Sequence, residues 1–137
     1  QYCSRGHPLD LAALTLSGVI SYHNDNTAAR QLEVLAMLTR HRRPVLCTEW
    51  LARHVDCHFS EQLPLFSAFE TGCFQWGLVQ GKTQTWIPWP GINKAHPNPQ
   101  SLWFHDVLTP EGSPWCEQEM RYVKHLTDFH KLRCGEK

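Results

Sequence analysis

Three polar triplets or pairs follow apolar runs and carry the side chains best suited to chemistry: Tyr22-His23-Asn24, Thr48-Glu49-Trp50 and Gln75-Trp76. A carboxylate such as Glu49, just past a buried strand, can serve as a general acid, a general base, a metal ligand or a glycosyl nucleophile. A nearby His and Trp suit the last role, the first by positioning the acid and the second by stacking on a sugar ring. The alternative is an ion pair between Glu49 and Arg53 or another loop cation, and the local pattern leaves both open. His54, Cys57 and His58 have the i, i+3, i+4 spacing of ligands on one helical turn. No fourth ligand stands at a recognisable spacing, which favours a solvated loop, so no metal is expected. Gly81-Lys82-Thr83 resembles the end of a phosphate-binding loop but lacks the upstream glycine at the required offset, and no nucleotide or other cofactor is expected. Trp86 and Trp89 fit a sugar platform or the core of a loop equally, because both use the same apolar ring face.

These residues need a scaffold that brings strand ends together. Gly18 to His23 is a β-rich run preceded by an apolar stretch from Leu11 to Leu16 and followed by Asn24-Asp25-Asn26-Thr27, a cluster of good helix caps. Leu32, Val34, Leu35 and Leu38 fall at helical spacing, predicting a helix from Ala28 to His41 that Pro44 ends. Pro44 to Thr48 is almost continuously apolar, the pattern of a strand buried on both faces in a parallel sheet. A second helix is expected to open at Ser60-Glu61-Gln62-Leu63 and stop at Gly72, with a third strand from Cys73 to Val79. A long loop then runs from Gln80 to Gln100, with five Pro or Gly between Pro88 and Pro99; loops of that length in compact domains are usually functional. Ser101 to Val107 reads as a short helix or strand, Pro110-Glu111-Gly112 as a turn, and Ser113 to Glu117 as the start of a last helix reaching about Thr127, with 128–137 a frayed tail.

The predicted strands start near 18, 44 and 72, about 26 to 28 residues apart, each followed by a helix. Repeated βα units of that period build a (β/α)8 barrel or a doubly wound sheet. A full barrel needs about 250 residues, so three to four units in 137 residues predict a partial one. The absence of Met at position 1 predicts a chain that begins mid-gene or after processing. Two open strand edges, near Gly18 and near Cys73, predict self-association or pairing with an N-terminal half.

Bulk composition narrows the partner. Thirteen basic and thirteen acidic residues balance, with no block of like charge, which argues against nucleic acid or a membrane surface and favours a neutral ligand. Six Trp, six Phe and three Tyr are a heavy aromatic load, suited to a core or to stacking on flat sugar faces. No run approaches the roughly 18 apolar residues of a membrane span. The cysteines at 3, 47, 57, 73, 116 and 134 form no CxxC pair; Cys47 and Cys73 read as small buried hydrophobes, and the even count allows disulfides.

Val19-Ile20-Ser21-Tyr22-His23-Asn24, the segment from Arg43 to Arg53 and the segment from Gly72 to Thr85 together resemble strands six, seven and eight of cellulase-like barrel glycoside hydrolases. Trp103-Phe104-His105-Asp106 is similar to the closing segment of those enzymes, so the resemblance covers about residues 17 to 127. It implies retaining hydrolysis of β-glycosidic bonds in a glycan or oligosaccharide, with Glu49 the nucleophile, His23 a supporting residue and Trp76 the floor of a sugar subsite. Tyr22, Asn24, Trp50 and Gln75 would line the substrate site with Trp76, joined by Lys82 and Trp86 from the following loop. Retaining chemistry needs a second carboxyl about 5 Å from the nucleophile; in the family it is a Glu after Asn at the end of strand four, and this chain has no such strand before Gly18. Three positions depart from the pattern: Asp25 and the stretch from His54 to His58 replace an aromatic residue and a Gly/Ser-rich loop, and Gln75 replaces Asn. The alternatives are a carbohydrate-binding or assembly fragment without turnover, and an unrelated α/β domain whose Glu49 is structural. The usual secretion of glycan-degrading enzymes would place the protein outside the cell or in the periplasm.

Overall fold

The computed structural model describes residues 7–91 and 103–135. The chain is a mixed α/β fold built on a three-stranded parallel sheet of order β1-β2-β3. Its elements are α1 (Pro8–Leu16), β1 (Ile20–His23), α2 (Ala28–Leu38), β2 (Val45–Glu49), α3 (Phe59–Ala68), β3 (Gly72–Cys73) and α4 (Glu117–Cys134). The apolar stretch ahead of β1 forms α1, opened by Pro8 in its first turn and by His7, whose Nδ1 accepts from the Leu9 N–H at 3.2 Å. Helix α2 tightens into a 3-10 turn at Thr39–His41, and Arg42 then adopts the left-handed conformation at φ 52°. The chain leaves the helical path there, two residues before Pro44.

Sheet and helices share one apolar layer. Ile20 and Tyr22 of β1 lie beside Val45 and Cys47 of β2 in register, and all four are buried. They pack with Val34, Leu35 and Leu38 of α2 and Phe59 and Phe66 of α3, as the 3.6-residue and two-residue periods of helix and strand require. The alternate strand positions Ser21, Leu46 and Thr48 are only half-buried. The continuous apolar run of Pro44 to Thr48 predicts burial on both faces; in the structure Val45 and Cys47 are buried while Leu46 and Thr48 are only partly so. Trp50 closes the layer, edge-on to Phe59 at 5.3 Å and to Phe66 at 5.1 Å between ring centres.

Three predicted elements differ in the structure. The strand expected over Cys73 to Val79 is paired only at Gly72–Cys73, after which the chain stays near the end of β2 through Phe74 N–H to Cys47 O (2.9 Å) and Trp76 N–H to Trp50 O (2.9 Å). The stretch up to Val107 forms neither helix nor strand where described; Leu108 instead bridges Val79 in parallel and Pro114 antiparallel. Helix α4 continues to Cys134, past the expected fraying point, and Gly135 caps it in the left-handed conformation at φ 71° with its N–H on Lys131 O. It docks on α3 through the Tyr122 hydroxyl, which donates to Ser60 O at 3.1 Å. The Pro110 to Gly112 turn forms as expected, closed by Gly112 N–H on Thr109 O at 2.9 Å. No helix among the described residues is long and apolar enough to cross a membrane. Cys3, part of the 80–100 loop and the start of the Ser101 stretch lie outside the described residues, as does the side chain of Cys134.

Candidate functional site

The register of β1 on β2 creates the site. Tyr22 pairs with Cys47, yet His23 pairs with Glu49 rather than with the next residue, Thr48. This irregularity inserts one residue on β2 and turns Glu49 toward the face of His23 instead of away from it. The two side chains meet with His23 Nδ1 at 3.1 Å from Glu49 Oε2, and they remain 35% and 24% exposed. Both groups are therefore reachable from solvent at the carboxyl ends of adjacent parallel strands. The backbone reinforces the pairing through Asn24 N–H on Glu49 O at 3.1 Å. The Arg53 ion pair that the sequence allowed for Glu49 does not form. Arg53 is buried and grips Glu119 through Nε (3.0 Å) and Nη2 (2.7 Å), while Nη1 donates to the Phe104 and Asp106 carbonyls at 3.1 and 3.0 Å.

Beneath this pair lies a buried polar chain. Asn26 Nδ2 donates to Asn24 Oδ1 at 2.8 Å, Asn24 Nδ2 donates to Gln31 Oε1, and Gln31 Nε2 donates to the Tyr22 hydroxyl. Tyr22, Asn24 and Gln31 are all buried, and burial, then the neighbouring Cys47, pushes the Tyr22 phenol well above its ordinary range. Burial likewise pushes the Cys47 and Cys73 thiols up to about 12 and about 11 and raises Cys57, so these cysteines stay protonated and unreactive. They and Cys116 are free thiols.

Two further groups bear on Glu49. Asp25, two residues past His23, has its carboxyl pushed up to about 6 by burial first and by the Glu49 charge second, and its buried Oδ1 has no hydrogen-bond partner among the described residues. His105, almost fully buried, places Nδ1 at 2.5 Å from Leu51 O. Burial holds its imidazole below the usual histidine range, although the Leu51 carbonyl and the Glu49 charge oppose that shift. From sequence, Asp25 is one of a cluster of helix-cap residues and a departure from a family pattern, and His105 has no role of its own. The signals were faint: an acid directly after a polar strand end, and a His-Asp pair after two aromatics.

The residues named from the sequence divide into two groups. His23 and Glu49 come together. Tyr22, Asn24 and Trp50, expected to line a substrate site, are core residues at 0%, 2% and 1% exposure, because they fall on the helix-covered side of the strands or on the turn beneath them. Trp76 is 45% exposed and tied to the Glu49 segment through the Trp50 carbonyl. It borders a groove of about 530 Å³ shared with Gly77, Leu78, Val79, Thr83 and Thr85. Gln75 is half-buried beside it. Lys82 is exposed on the turn closed by Gln84 N–H on Gly81 O, and no ion pair or hydrogen bond joins it to Glu49. Trp86 is half-buried and lies 6.2 Å from Trp103, with Trp89 packed on Phe104 at 4.9 Å. Both contacts favour loop packing over an open platform. The suspected metal triplet is dispersed: Cys57 is buried, His54 stacks on Phe104, and His58 precedes α3 as its N-cap. No set of three His, Cys, Asp or Glu side chains among the described residues is placed to hold a metal.

Compared with known proteins, the chain matches no family model, no curated protein and no solved structure.

Proposed function

We propose that Glu49 is the nucleophile of a retaining glycoside hydrolase acting on β-linked glycans or oligosaccharides, with His23 supporting it and Trp76 stacking on a sugar ring. The observation that carries this reading is the 3.1 Å contact between His23 and Glu49 at neighbouring carboxyl strand ends, both open to solvent. A carboxylate held by a donor and accessible from one side is what attack on an anomeric carbon needs, and an exposed indole nearby offers the apolar face that sugar rings cover. The sequential order β1-β2-β3 with parallel pairing supports a segment of a (β/α)8 barrel, whose ligands meet the carboxyl ends of the strands. The partial burial of Ser21, Leu46 and Thr48 and the lack, among the described residues, of a further strand beside β1 or β3 fit that reading too, and they support pairing with further strands or with a second copy. A neutral glycan fits the balanced charge.

The test is covalent. A 2-deoxy-2-fluoro glycoside with a good leaving group should add one sugar mass to the protein, and peptide mapping should find it on Glu49. Glu49→Gln should abolish labelling and all aryl-glycoside turnover while leaving the fold intact. A second reading, a carbohydrate-binding unit without turnover, is favoured by one feature: no Asn-Glu pair for the family's proton donor occurs anywhere in the chain. Retarded migration in a glycan-containing gel, with aryl glycoside intact and no label on Glu49, would establish that reading and exclude the nucleophile.

A further inference from the structure

A nucleophilic carboxylate must be held in one orientation, and β2 ends at Glu49, so the sheet alone does not hold it. The turn that follows is strained: Leu51 adopts φ 83°, the left-handed region that side-chain sterics disfavour for residues other than glycine. Such a conformation persists only where its surroundings over-determine it.

The surroundings come from a segment more than fifty residues away in sequence. His105 Nδ1 sits 2.5 Å from the Leu51 carbonyl oxygen. On the far side of the turn the Arg53 N–H donates to Phe104 O at 3.3 Å, and on the near side Trp76 N–H donates to Trp50 O at 2.9 Å. His105 is itself fixed. Its ring is buried against Phe104 at 4.3 Å and beside Trp89 at 6.0 Å, and its backbone N–H donates to Thr85 O at 3.2 Å. A carbonyl oxygen only accepts, so the proton at this contact belongs to Nδ1. Nε2 then carries the lone pair of a neutral ring, and no described protein group donates to it. The ring also lies close enough to Glu49 to feel its charge.

We propose, on the reading of Glu49 as the nucleophile, that His105 is a positioning residue: its Nδ1–H, donated to the Leu51 carbonyl, holds the left-handed turn that keeps the Glu49 carboxylate facing His23. It touches no reacting atom and acts through the Glu49-Trp50-Leu51 backbone. The flanking Trp50 carbonyl accepts from Trp76 N–H and the flanking Arg53 N–H donates to Phe104 O, but His105 alone among the described side chains donates to the carbonyl of the strained residue.

The experiment compares three proteins, wild type, His105→Phe and His105→Asn. Phenylalanine keeps the ring volume and loses the donor, whereas asparagine can return an N–H to the Leu51 carbonyl. The probe is a 2-fluoro glycoside, with its inactivation kinetics separated into the dissociation constant and the first-order rate of covalent labelling. His105→Phe should lower the labelling rate roughly 100-fold, the scale set by about 1 Å of misplacement in a reacting group. The dissociation constant should move less than about threefold, and His105→Asn should recover most of the rate. A labelling rate in folded His105→Phe equal to wild type overturns the positioning role and leaves the nucleophile standing. Equal losses in both variants overturn it as well. If wild type itself takes no label, the nucleophile reading falls and the positioning role with it. Should His105→Phe fail to fold, nitrogen-15 NMR of the wild-type imidazole decides: a proton on Nδ1 supports the proposal, and one on Nε2 alone overturns it.

Discussion

Replacing Asp25 by Asn should stabilise the protein at neutral pH and leave it unchanged in acid. The Asp25 carboxyl titrates near 3.8 when free and is pushed up to about 6 in the fold, by burial and then by the charge of Glu49. Between those values the folded state holds a proton that the unfolded chain has released. Wild-type stability should therefore fall as pH rises from about 4 to about 6 and carry the full penalty of an ionised Asp25 above that. At 1.36 kcal/mol per pH unit the displacement from 3.8 to about 6 corresponds to at most about 3 kcal/mol. Asp25 is partly open to solvent, so screening reduces the penalty to about 1–2 kcal/mol. Asn keeps the shape and removes the ionisation, and no hydrogen bond to the buried Oδ1 is lost because none is made. Thermal unfolding near pH 7.5 should show the Asp25→Asn midpoint raised by roughly 3–8 °C, using the size scaling of unfolding entropy; near pH 4 the two curves should coincide. Combining Asp25→Asn with Glu49→Gln should shrink the gain, since Glu49 is the second cause of the shift, without erasing it, since burial is the first. An equal difference at both pH values, or a loss of stability at pH 7.5, would refute the assignment of a buried, charge-penalised carboxyl at Asp25.

Arg53→Ala should destabilise the fold by about 3–5 kcal/mol in urea unfolding, because it leaves the Glu119 carboxylate without its cation and takes one donor each from the Phe104 and Asp106 carbonyls; a loss under about 1 kcal/mol would show that the buried pair is not part of the scaffold. Gly77→Ala should cost at least about 1 kcal/mol from backbone conformation alone, since Gly77 has φ 83° and an added Cβ would stand 2.6 Å from Asp106 Oδ1. The clash would also press on the 2.6 Å hydrogen bond from Thr85 to that oxygen, and an unchanged midpoint in calorimetry would contradict this geometry.

The alternation of β1, α2, β2, α3 and the first residues of β3 was legible because it is local: strand and helix periods, a Thr before α2 and the Gly at the start of β3 sit within a few residues of the elements they define. The third strand shows where local reading stops. Cys73 to Val79 is as apolar as its neighbours, but a strand exists only where a partner offers its backbone. Here β2 ends at Glu49 and turns at Leu51, so the segment after Cys73 keeps single hydrogen bonds to the Cys47 and Trp50 carbonyls and then pairs with Val107 and Leu108 through Leu78 and Gln80 instead of extending the sheet. The end of α4 had a readable signal, Gly135, which a charged sequence made easy to dismiss as a tail.

The candidate site was half legible for the same physical reason. Glu49 and His23 stand at strand ends, so chain order and strand period bring them near one another. The one-residue irregularity that turns them face to face arises from the pairing of two strands, which neither strand encodes alone. Burial overruled the substrate role expected of Tyr22, Asn24 and Trp50: polarity at a strand end marks proximity to a site, whereas exposure decides whether a ligand can be touched. Asn24 and Tyr22 spend their polar groups on Gln31, a residue inside α2 that helical periodicity would mark as buried without saying why it is polar. Satisfying those groups internally costs less than leaving them open beneath the His23–Glu49 contact. His105 and Arg53 belong to the same class of hidden information, since each meets its partner across more than fifty residues. These contacts bear on the turn directly after Glu49, so the orientation proposed for that carboxylate rests on the segment around His105 as well as on the strands that bring Glu49 to His23.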